Sequence, residues 1–474
     1  MRGGKEKRRA VRIRPTHPQQ VRLSFVHEEK TYEGALWDYS RFGLGIQIPG
    51  RKTPFRLNQL ISDIHIEAFG DGRRLGDGRI VRENVAEEHL FLGVSLLHEF
   101  IDLEFLQKNR KILLQSDELS YLRSYLKYVD DIRPEFKSFA SDFAYGLSVF
   151  KAKLDELDVK FEDEPEDLRE DLFRTIVQGI GKELAQFVTQ SMEKLKTLPA
   201  AFGREEHERH GFYLRRTIWA FLMESAFYRR TNLKPRGYAG DSTLMEMIYA
   251  NDYVGESSFG KIMHKHPLEE PMSRAVRNRR GLVCDLLDAH IEETSRPSVK
   301  VVSIACGPAR EMQDFLTRSP HRDRVRLYLL DQDSEALEEA RRNLASLENG
   351  DSSKITYIRD SVRTLLKKSN PILSESRFDF VYSMGLFDYL SQPVAKAILS
   401  RLFEMLDSKG RLVVGNFHKT SPNRTYLNYF LDWPLIYRDE DAMRDLAAGL
   451  SGIARMEVGF ESSGCQMFLD LHKS

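Results

Sequence analysis

Two groups of residues near the start of this 474-residue chain have side chains suited to a phosphorylated ligand. Arg8 and Arg12 form an Arg-x-x-x-Arg segment. Arginine carries a planar guanidinium fork that binds phosphate through two parallel hydrogen bonds and stacks on aromatic rings. Asp38, Ser40 and Gly43 follow in the spacing Asp-x-Ser-x-x-Gly, and supply an acceptor, a hydroxyl and a permissive turn. Together the two groups predict a nucleotide-binding site.

This pairing resembles the PilZ family, over roughly residues 1–100 of the chain. Arg8 lies 30 residues before Asp38, which fits the family's spacing. The resemblance implies a six-stranded barrel that binds cyclic di-GMP through the five residues named above, with Arg9 as a further contact. An Arg-x-x-x-Arg pair alone, in so basic a segment, would be typical of a solvated tail.

A second group of small residues lies in a predicted strand, turn and helix over Val299–Glu311. A sheet that binds a nucleotide needs small residues in this turn, because the ligand passes against the backbone. Class I methyltransferases usually show an acid and three glycines at alternating positions here, whereas this chain has Ser303, Ala305, Gly307 and Ala309. The turn by itself leaves open a structural sheet, or one that binds another nucleotide.

Carboxylates at the ends of the next two predicted strands make the cofactor prediction more specific. Asp331 lies 24 residues after Gly307, where a carboxylate can accept hydrogen bonds from both ribose hydroxyls, and Asp333 follows it. Asp360 ends the next strand, the usual position of the adenine contact. S-adenosylmethionine has no pyrophosphate and therefore tolerates alanines in a turn that a dinucleotide would require to be glycine-rich. We predict that S-adenosylmethionine is bound by Ala305, Gly307, Asp331, Asp360 and Ser383.

The acceptor is expected beyond the carboxyl ends of the strands, as in other open parallel sheets. Met384, Gly385 and Tyr389 follow the fourth predicted strand of this region and are candidates to line the path of the methyl group. Asn416 and His418 follow the fifth strand, and either can orient the acceptor. A histidine at the end of a strand is also often an ordinary surface residue.

An aromatic-rich segment lies between the fifth strand and the last two. Its aromatic residues are Tyr426, Tyr429, Phe430, Trp433 and Tyr437. Such a stripe forms either a lid over the site or ordinary core. A lid of this composition would favour an apolar acceptor over a polar macromolecule.

The segment Leu233–Asp241 is rich in Pro and Gly and also carries Arg236, Tyr238 and Asp241. Together with the Ala305–Pro308 turn and the loop after the fourth strand, it resembles bacterial methyltransferases of 3-hydroxypalmitic acid methyl ester biosynthesis, over roughly residues 115–474. That resemblance implies O-methylation of a free carboxylate on a hydroxy fatty acid. The candidate catalytic residues are Tyr238, Asp241, Tyr389 and His418.

A carboxylate acceptor needs little acid-base machinery. A carboxylic acid with a pKa near roughly 4 to 5 is already a nucleophilic anion at neutral pH, so alignment and exclusion of water carry most of the catalysis. Such an anion needs a counter-charge, for which Arg236 and the arginine-rich Ser273–Arg280 segment are candidates. An arginine cluster of this kind is more often a solvated face.

The elements that position these residues follow from hydrophobic periodicity. Short alternating segments predict strands at residues 20–26, 30–36, 43–48, 61–68, 79–83 and 90–97. Helical periodicity follows, including residues 135–157, 168–195 and 209–229. Apolar runs that alternate with amphipathic helices indicate a mainly parallel sheet, with strands at residues 299–304, 325–330, 355–359, 378–383, 410–416, 455–460 and 465–471. The last two are close enough in sequence for a hairpin, which predicts an antiparallel edge.

We therefore expect a multidomain α and β protein: a six-stranded antiparallel barrel at 1–100, an all-α region at 101–290 that contributes to the site, and a doubly wound Rossmann-like methyltransferase sheet at 291–474 with an antiparallel last strand.

Composition limits the function classes. The chain has 71 basic and 71 acidic residues, so no global field favours nucleic acid or an anionic membrane. Three cysteines are too few and too scattered for a disulfide framework or a zinc site, so no metal is expected. No apolar run approaches a membrane span or a secretory signal, and we expect a cytoplasmic protein.

The resulting hypothesis is an S-adenosylmethionine-dependent methyltransferase of a small, fatty-acid-like acceptor, regulated by cyclic di-GMP. A non-catalytic effector that signals through a partner is the first alternative, motivated by the departures at Ser303, Ala305 and Ala309. A protein acceptor is the second.

Overall fold

The computed structural model describes residues 21–40, 43–50, 54–68, 71–86, 89–97, 129–199, 202–347, 354–367 and 377–474. The chain divides into two compact units. The first comprises residues 1–133 and 201–209, and the second comprises residues 134–200 and 210–474. The helical region expected at 101–290 thus contributes residues to both units.

The first unit contains a closed antiparallel barrel. Its strands are β1 (Val21–His27), β2 (Lys30–Ser40), β3 (Gly43–Pro49), β4 (Leu60–Ala68), β5 (Asp71–Ala86) and β6 (His89–Leu96). They close in the order β1-β2-β3-β6-β5-β4. Val21, Leu23 and Phe25 alternate with more exposed residues along β1 and point into the barrel core, as expected for a strand with one buried face. The predicted six-stranded barrel is confirmed.

The second unit begins with helices. They are α1 (Pro134–Lys160), α2 (Glu166–Ile176), α3 (Lys182–Thr197), α4 (Arg204–Thr217, whose first residues belong to the first unit), α5 (Trp219–Glu224), α6 (Ala226–Leu233), α7 (Ser242–Ala250), α8 (Ser258–Glu269) and α9 (Pro271–Glu293). None of the helices in the described ranges is long and apolar enough to cross a membrane.

Two of the helical stretches predicted from periodicity are interrupted. A π-helical turn at Val177–Gly181 separates α2 from α3. Ser225 is extended, and its hydroxyl accepts a hydrogen bond from the Tyr228 backbone N–H as the N-cap of α6. A serine hydroxyl that satisfies a free backbone donor stabilises a new helix start, so Ser225 accounts for the separate start of α6. The pattern at 209–229 is divided among α4, α5 and α6.

A seven-stranded sheet completes the unit. Its strands are β7 (Val299–Ile304), β8 (Val325–Asp331), β9 (Ile355–Arg359), β10 (Phe378–Ser383), β11 (Leu406–Phe417), β12 (Ile453–Phe460) and β13 (Gln466–Lys473). The intervening helices are α10 (Arg310–Arg318), α11 (Ser334–Leu344), α12 (Val362–Lys367), α13 (Gln392–Glu404), α14 (Arg424–Phe430) and α15 (Glu440–Leu446).

The strand order is β12-β13-β11-β10-β7-β8-β9. The strands from β11 to β9 pair in parallel, and β13 is antiparallel to both neighbours. All six residues of β10 are buried, because hydrophobic clusters cover both faces of the sheet. The predicted Rossmann-like sheet is confirmed. Its order reverses between β7 and β10, and ligands bind at such a switch point, beyond the carboxyl ends of the strands.

Candidate cofactor and acceptor site

The turn after β7 adopts the backbone conformation of a glycine-rich turn without the full set of glycines. Ala305, Gly307 and Ala309 have φ values of 56°, 55° and 51°. An alanine in this left-handed region costs about 1 kcal/mol or more, and such strain is concentrated at functional sites. The backbone of the turn therefore follows the path of a glycine-rich turn. The two alanines only make the glycine motif harder to recognise in the sequence.

Asp331 joins this turn to the end of β8. One carboxylate oxygen accepts a hydrogen bond from the Gly307 backbone N–H at 2.9 Å, and the other accepts one from the Asp333 N–H at 3.0 Å. Burial raises the pKa of Asp331, although both of these backbone donors lower it. Each carboxylate oxygen has a second lone pair, so Asp331 has the capacity to accept the two ribose hydroxyls of a nucleoside as well.

The other two predicted cofactor residues have different surroundings. Asp360 follows β9, and its backbone N–H donates to the Asp331 carbonyl at 3.0 Å. One of its carboxylate oxygens accepts hydrogen bonds from the Ser361 N–H and the Thr364 hydroxyl. Ser383 is fully buried and donates to the Ile304 carbonyl at 2.7 Å. Its hydroxyl links β10 to β7 and shapes the switch point.

The Pro235–Asp241 turn packs against acidic residues of the loop and helix that follow β8, Asp333 and Glu339. The Arg236 guanidinium donates to Asp333 and Glu339 at 2.9 Å each, and the Tyr238 hydroxyl donates to Asp333 at 3.1 Å. Burial and the negative charges of Asp331 and Asp333 raise the pKa of Tyr238 well above its usual value. The Tyr238 hydroxyl is thus a hydrogen-bond donor to Asp333, and a role for Tyr238 in the reaction remains a prediction. Sequence alone did not predict this pairing of the turn with the cofactor side of the sheet.

Asp241 caps a helix and pairs with an arginine. It is the N-cap of α7, where it accepts a hydrogen bond from the Leu244 N–H at 2.9 Å. Both of its oxygens also accept from Nε of Arg230, at 2.7 and 2.9 Å. Only 1% of the residue is exposed. A direct role for Asp241 in the reaction remains a prediction.

An aromatic wall forms where three segments meet. The Tyr389 hydroxyl accepts a hydrogen bond from Nε1 of Trp433 at 2.8 Å and donates to the Ala239 carbonyl at 3.3 Å. Gly240 has a φ of 78°, and a Cβ there would lie 2.5 Å from the Trp433 ring. Tyr389 as a residue is nevertheless 42% exposed, while two hydrogen bonds hold its hydroxyl. Burial raises the pKa of this hydroxyl too.

The aromatic segment expected to be lid or core is largely buried. Tyr426, Tyr429 and Phe430 are at most 2% exposed, and the Tyr426 hydroxyl donates to the Tyr228 hydroxyl at 2.5 Å. These three side chains are core residues. Among the five aromatic residues of this segment, Trp433 is the one that bonds to Tyr389 in the aromatic wall.

Asn416 and His418 are engaged in contacts around the end of β11. The Asn416 side chain is fully buried and donates to the Phe417 and Ile436 carbonyls. The His418 ring nitrogens lie 2.7 Å from the Thr420 hydroxyl and 3.1 Å from a Glu440 carboxylate oxygen. These bonds account for both ring nitrogens, and a role for His418 in the reaction remains a prediction.

The structure separates the arginines of the Ser273–Arg280 segment, which the sequence presented as one cluster. Arg274 is exposed. Arg277 donates to the carbonyls that end α7 and α8, and Arg280 pairs with Asp314. Arg279 is only 8% exposed and donates to the Met384 carbonyl at 3.2 Å. From the sequence, Arg279 was expected only as one member of the Ser273–Arg280 segment.

The barrel places part of the first motif at a hairpin. Asp38 and Ser40 lie near the end of β2, and Gly43 begins β3 opposite Ser40. Asp38 is buried, with its carboxylate 3.7 Å from Arg82, and occupies the space where a side chain at Gly45 would lie. Arg8, Arg9 and Arg12 lie outside the described residues.

Comparison with family models gives one match. Residues 301–410 match the model described as a methyltransferase domain. The matched segment spans the turn after β7, Asp331, Asp360 and the aromatic-wall residue Tyr389. The chain contains a class I S-adenosylmethionine-dependent methyltransferase domain. The strand order and the turn geometry of this domain fit the cofactor.

Solved structures align with the chain at low similarity. A possible exported protein from Bordetella parapertussis is 16% identical, with a TM-score of 0.40, over 57% of this chain and 87% of that one. Magnesium protoporphyrin IX methyltransferase from Synechocystis PCC 6803 with bound S-adenosylmethionine is 14% identical, with a TM-score of 0.31, over 43% of this chain and 83% of that one. N-methyltransferase NodS from Bradyrhizobium japonicum WM9 is 16% identical, with a TM-score of 0.30, over 41% of this chain and 96% of that one. No curated protein matches the chain.

Proposed function

We propose that the methyltransferase domain esterifies the carboxylate of a small, lipophilic acid, with a hydroxy fatty acid as the first candidate. The observation that carries this proposal is the partly exposed residue Tyr389, hydrogen-bonded to Trp433 just beyond the carboxyl end of β10. An apolar wall at this position suits an alkyl chain. It offers little to a strongly hydrated acceptor, because burying polar groups without partners is costly.

The protonation states near the site support an acceptor that is already anionic. Tyr238 and Tyr389 both have raised pKa values, and their hydroxyls act as hydrogen-bond donors at neutral pH. An alcohol acceptor would require a base, whereas a fatty acid carboxylate requires none. When bound, S-adenosylmethionine supplies an electrophilic methyl group, and transfer to a carboxylate oxygen yields the methyl ester and S-adenosylhomocysteine.

The residues at the carboxyl ends of the strands have separable tasks in this proposal. Asp331 would hold the ribose, and Asp360 the adenine amino group. The left-handed turn at Ala305–Ala309 would let the nucleoside approach the backbone. Tyr389 and Trp433 would seat the alkyl chain and exclude water, which favours transfer to the carboxylate over hydrolysis.

The direct test is incubation of the purified chain with labelled S-adenosylmethionine and a bacterial lipid extract, followed by mass analysis. We expect 3-hydroxypalmitate to gain one methyl group as an ester. The matched control is 3-hydroxypalmitamide, which keeps the chain and the hydroxyl but lacks the carboxylate. Methylation of the amide at its hydroxyl, or of a protein in the extract in place of any acid, would contradict the proposal.

We further propose that the barrel binds cyclic di-GMP and that binding changes the rate of methyl transfer. The order of motifs supports this, together with the buried Asp38 carboxylate beside the hairpin where Gly43 begins β3. We expect calorimetry to detect cyclic di-GMP binding that is lost in Arg8→Ala/Arg12→Ala. Arg22→Ala, on the exposed face of β1, is the control and retains binding.

Regulation is tested separately from binding. Turnover is measured across acceptor concentrations without ligand, with saturating cyclic di-GMP and with cyclic di-AMP as the control ligand. We expect only cyclic di-GMP to change kcat or KM, in either direction. Equal turnover under all three conditions would contradict regulation, while calorimetry would still decide binding.

A further inference from the structure

A buried arginine lies at the carboxyl end of the sheet. The Arg279 guanidinium donates to the Met384 carbonyl at 3.2 Å, to the Gln466 amide oxygen at 3.5 Å and towards the Met245 sulfur at 3.6 Å. The Tyr249 hydroxyl adjoins it. All of these partners are neutral. Among the residues that the structure describes, no carboxylate oxygen lies within 4.0 Å of the Arg279 nitrogens.

This arrangement is unusual because buried charges in proteins are normally paired. Two buried carboxylates lie in the neighbourhood, and both have other partners. Glu311 accepts a hydrogen bond from the Tyr382 hydroxyl, and Asp388 accepts one from the Phe417 backbone N–H. Burial raises the pKa of both acids, that of Asp388 to about 7, although the positive charge of Arg279 lowers both pKa values. Neither forms an ion pair with Arg279.

The position of Arg279 connects this charge to the reaction. Met384 and Gly385 follow β10 at the switch point of the sheet, and the guanidinium lies 3.6 Å from the place that a Cβ would take at Gly385. Met245 and Tyr249 come from α7, the helix that Asp241 caps. Arg279 therefore lies where the helical segment meets the loop predicted to line the methyl path.

We propose that Arg279 is the docking residue for a carboxylate in the methyltransferase site. Its planar fork matches a carboxylate with two hydrogen bonds, and the low-polarity surroundings strengthen that attraction. The carboxylate belongs either to the acceptor acid or to the methionine end of the cofactor. The first source rests on the proposed function, and the second does not.

Two variants and a matched control test this assignment. Arg279→Gln removes the charge, and Arg279→Lys keeps it but loses the fork. Arg274→Gln removes an exposed arginine from the same helix. Circular dichroism and thermal unfolding show which variants are folded, and the lysine variant serves if the glutamine variant does not fold.

The cofactor arm compares two ligands by calorimetry. S-adenosylhomocysteine has the amino acid carboxylate, and methylthioadenosine lacks it. If Arg279 holds that carboxylate, Arg279→Gln weakens S-adenosylhomocysteine binding about 30-fold or more, the cost of removing one partner of a buried charge pair. Methylthioadenosine binding stays unchanged, and Arg274→Gln behaves as the wild type with both ligands.

The acceptor arm compares the KM for 3-hydroxypalmitate. If Arg279 holds the acceptor, KM rises by a similar factor in Arg279→Gln and by less in Arg279→Lys, while S-adenosylhomocysteine binding is unchanged. The assignment is overturned if Arg279→Gln changes neither S-adenosylhomocysteine affinity nor the KM for 3-hydroxypalmitate. It is also overturned if the variant loses equal affinity for S-adenosylhomocysteine and methylthioadenosine. If the wild type methylates no carboxylic acid, the proposed function fails, and the cofactor arm alone then decides the role of Arg279.

Discussion

Substituting Gly240 by alanine tests the aromatic wall with a single methyl group. The new Cβ would lie 2.5 Å from Cζ2 of Trp433 and 2.7 Å from the Tyr389 hydroxyl oxygen. Both distances are shorter than any real Cβ contact, so one of the two rings must move. The backbone φ of 78° is also unfavourable for alanine.

The expected loss of stability has two parts. The left-handed conformation costs alanine about 1 kcal/mol, and overpacking costs about 1 to 3 kcal/mol more. We therefore expect Gly240→Ala to be about 2 to 4 kcal/mol less stable than the wild type. Gly237→Ala is the matched control, because Gly237 has a φ of 82° but no atom within 4 Å of the added Cβ. It should lose only the conformational part, about 1 kcal/mol.

The assay is urea unfolding followed by tryptophan fluorescence, since Trp433 is at the contact. Displacement of Tyr389 or Trp433 should also lower kcat/KM for the acceptor by about tenfold or more, because small misplacements in a site are costly. Equal stability losses at Gly240 and Gly237 would show that the rings do not pack as described. An unchanged kcat/KM in Gly240→Ala would show that the aromatic wall is not part of the acceptor site.

Three further predictions concern the same unit. Asp331→Asn should weaken S-adenosylmethionine binding about tenfold or more by calorimetry, because a charged acceptor is lost; Asp323→Asn, at a carboxylate 77% exposed, is the control, and equal affinities would exclude Asp331 from the cofactor site. Trp433→Phe removes one hydrogen bond to Tyr389 and should cost about 1 kcal/mol of stability and raise the acceptor KM. S-adenosylhomocysteine binding should stay constant, and its loss would place Trp433 on the cofactor side. Asp388 has its pKa raised from 3.8 to about 7 by burial, so the folded state holds its proton more tightly than the unfolded chain does. Its contribution to stability is therefore lost as pH rises from about 4 to 7, and Asp388→Asn should gain stability relative to the wild type over that interval in urea unfolding; a pH-independent difference would contradict this.

The sheet could be predicted well because its strands carry a strong signal. Strands buried on both faces read as largely apolar runs, as in Val299–Ile304 and Phe378–Ser383, each of which is interrupted by one charged residue. The barrel strand β5 was predicted only at residues 79–83 and extends over Asp71–Ala86. Its first half contains Gly72, Gly76 and Gly78, which are typical of turns, and becomes a strand through pairing with β4.

The site was less predictable because its contacts join distant segments. No local pattern indicates that Tyr238 bonds Asp333 or that Trp433 bonds Tyr389. Arg279 did have a local signal. It lies on the same helical stripe as the buried Met272, Val276 and Val283, and a charged residue on an apolar stripe requires an explanation. The four arginines within eight residues mask that signal in the sequence.

The bonds from Arg236 and Tyr238 to the acids after β8 also bear on modularity. The segment that matches a methyltransferase domain, residues 301–410, does not include the turn that covers its acidic loop. Transplanting the sheet alone into another protein would leave Asp333 and Glu339 without their cation and would remove Gly240 from the aromatic wall. The Pro235–Asp241 turn and the sheet therefore belong to one folded unit, and recombination between them would break these contacts.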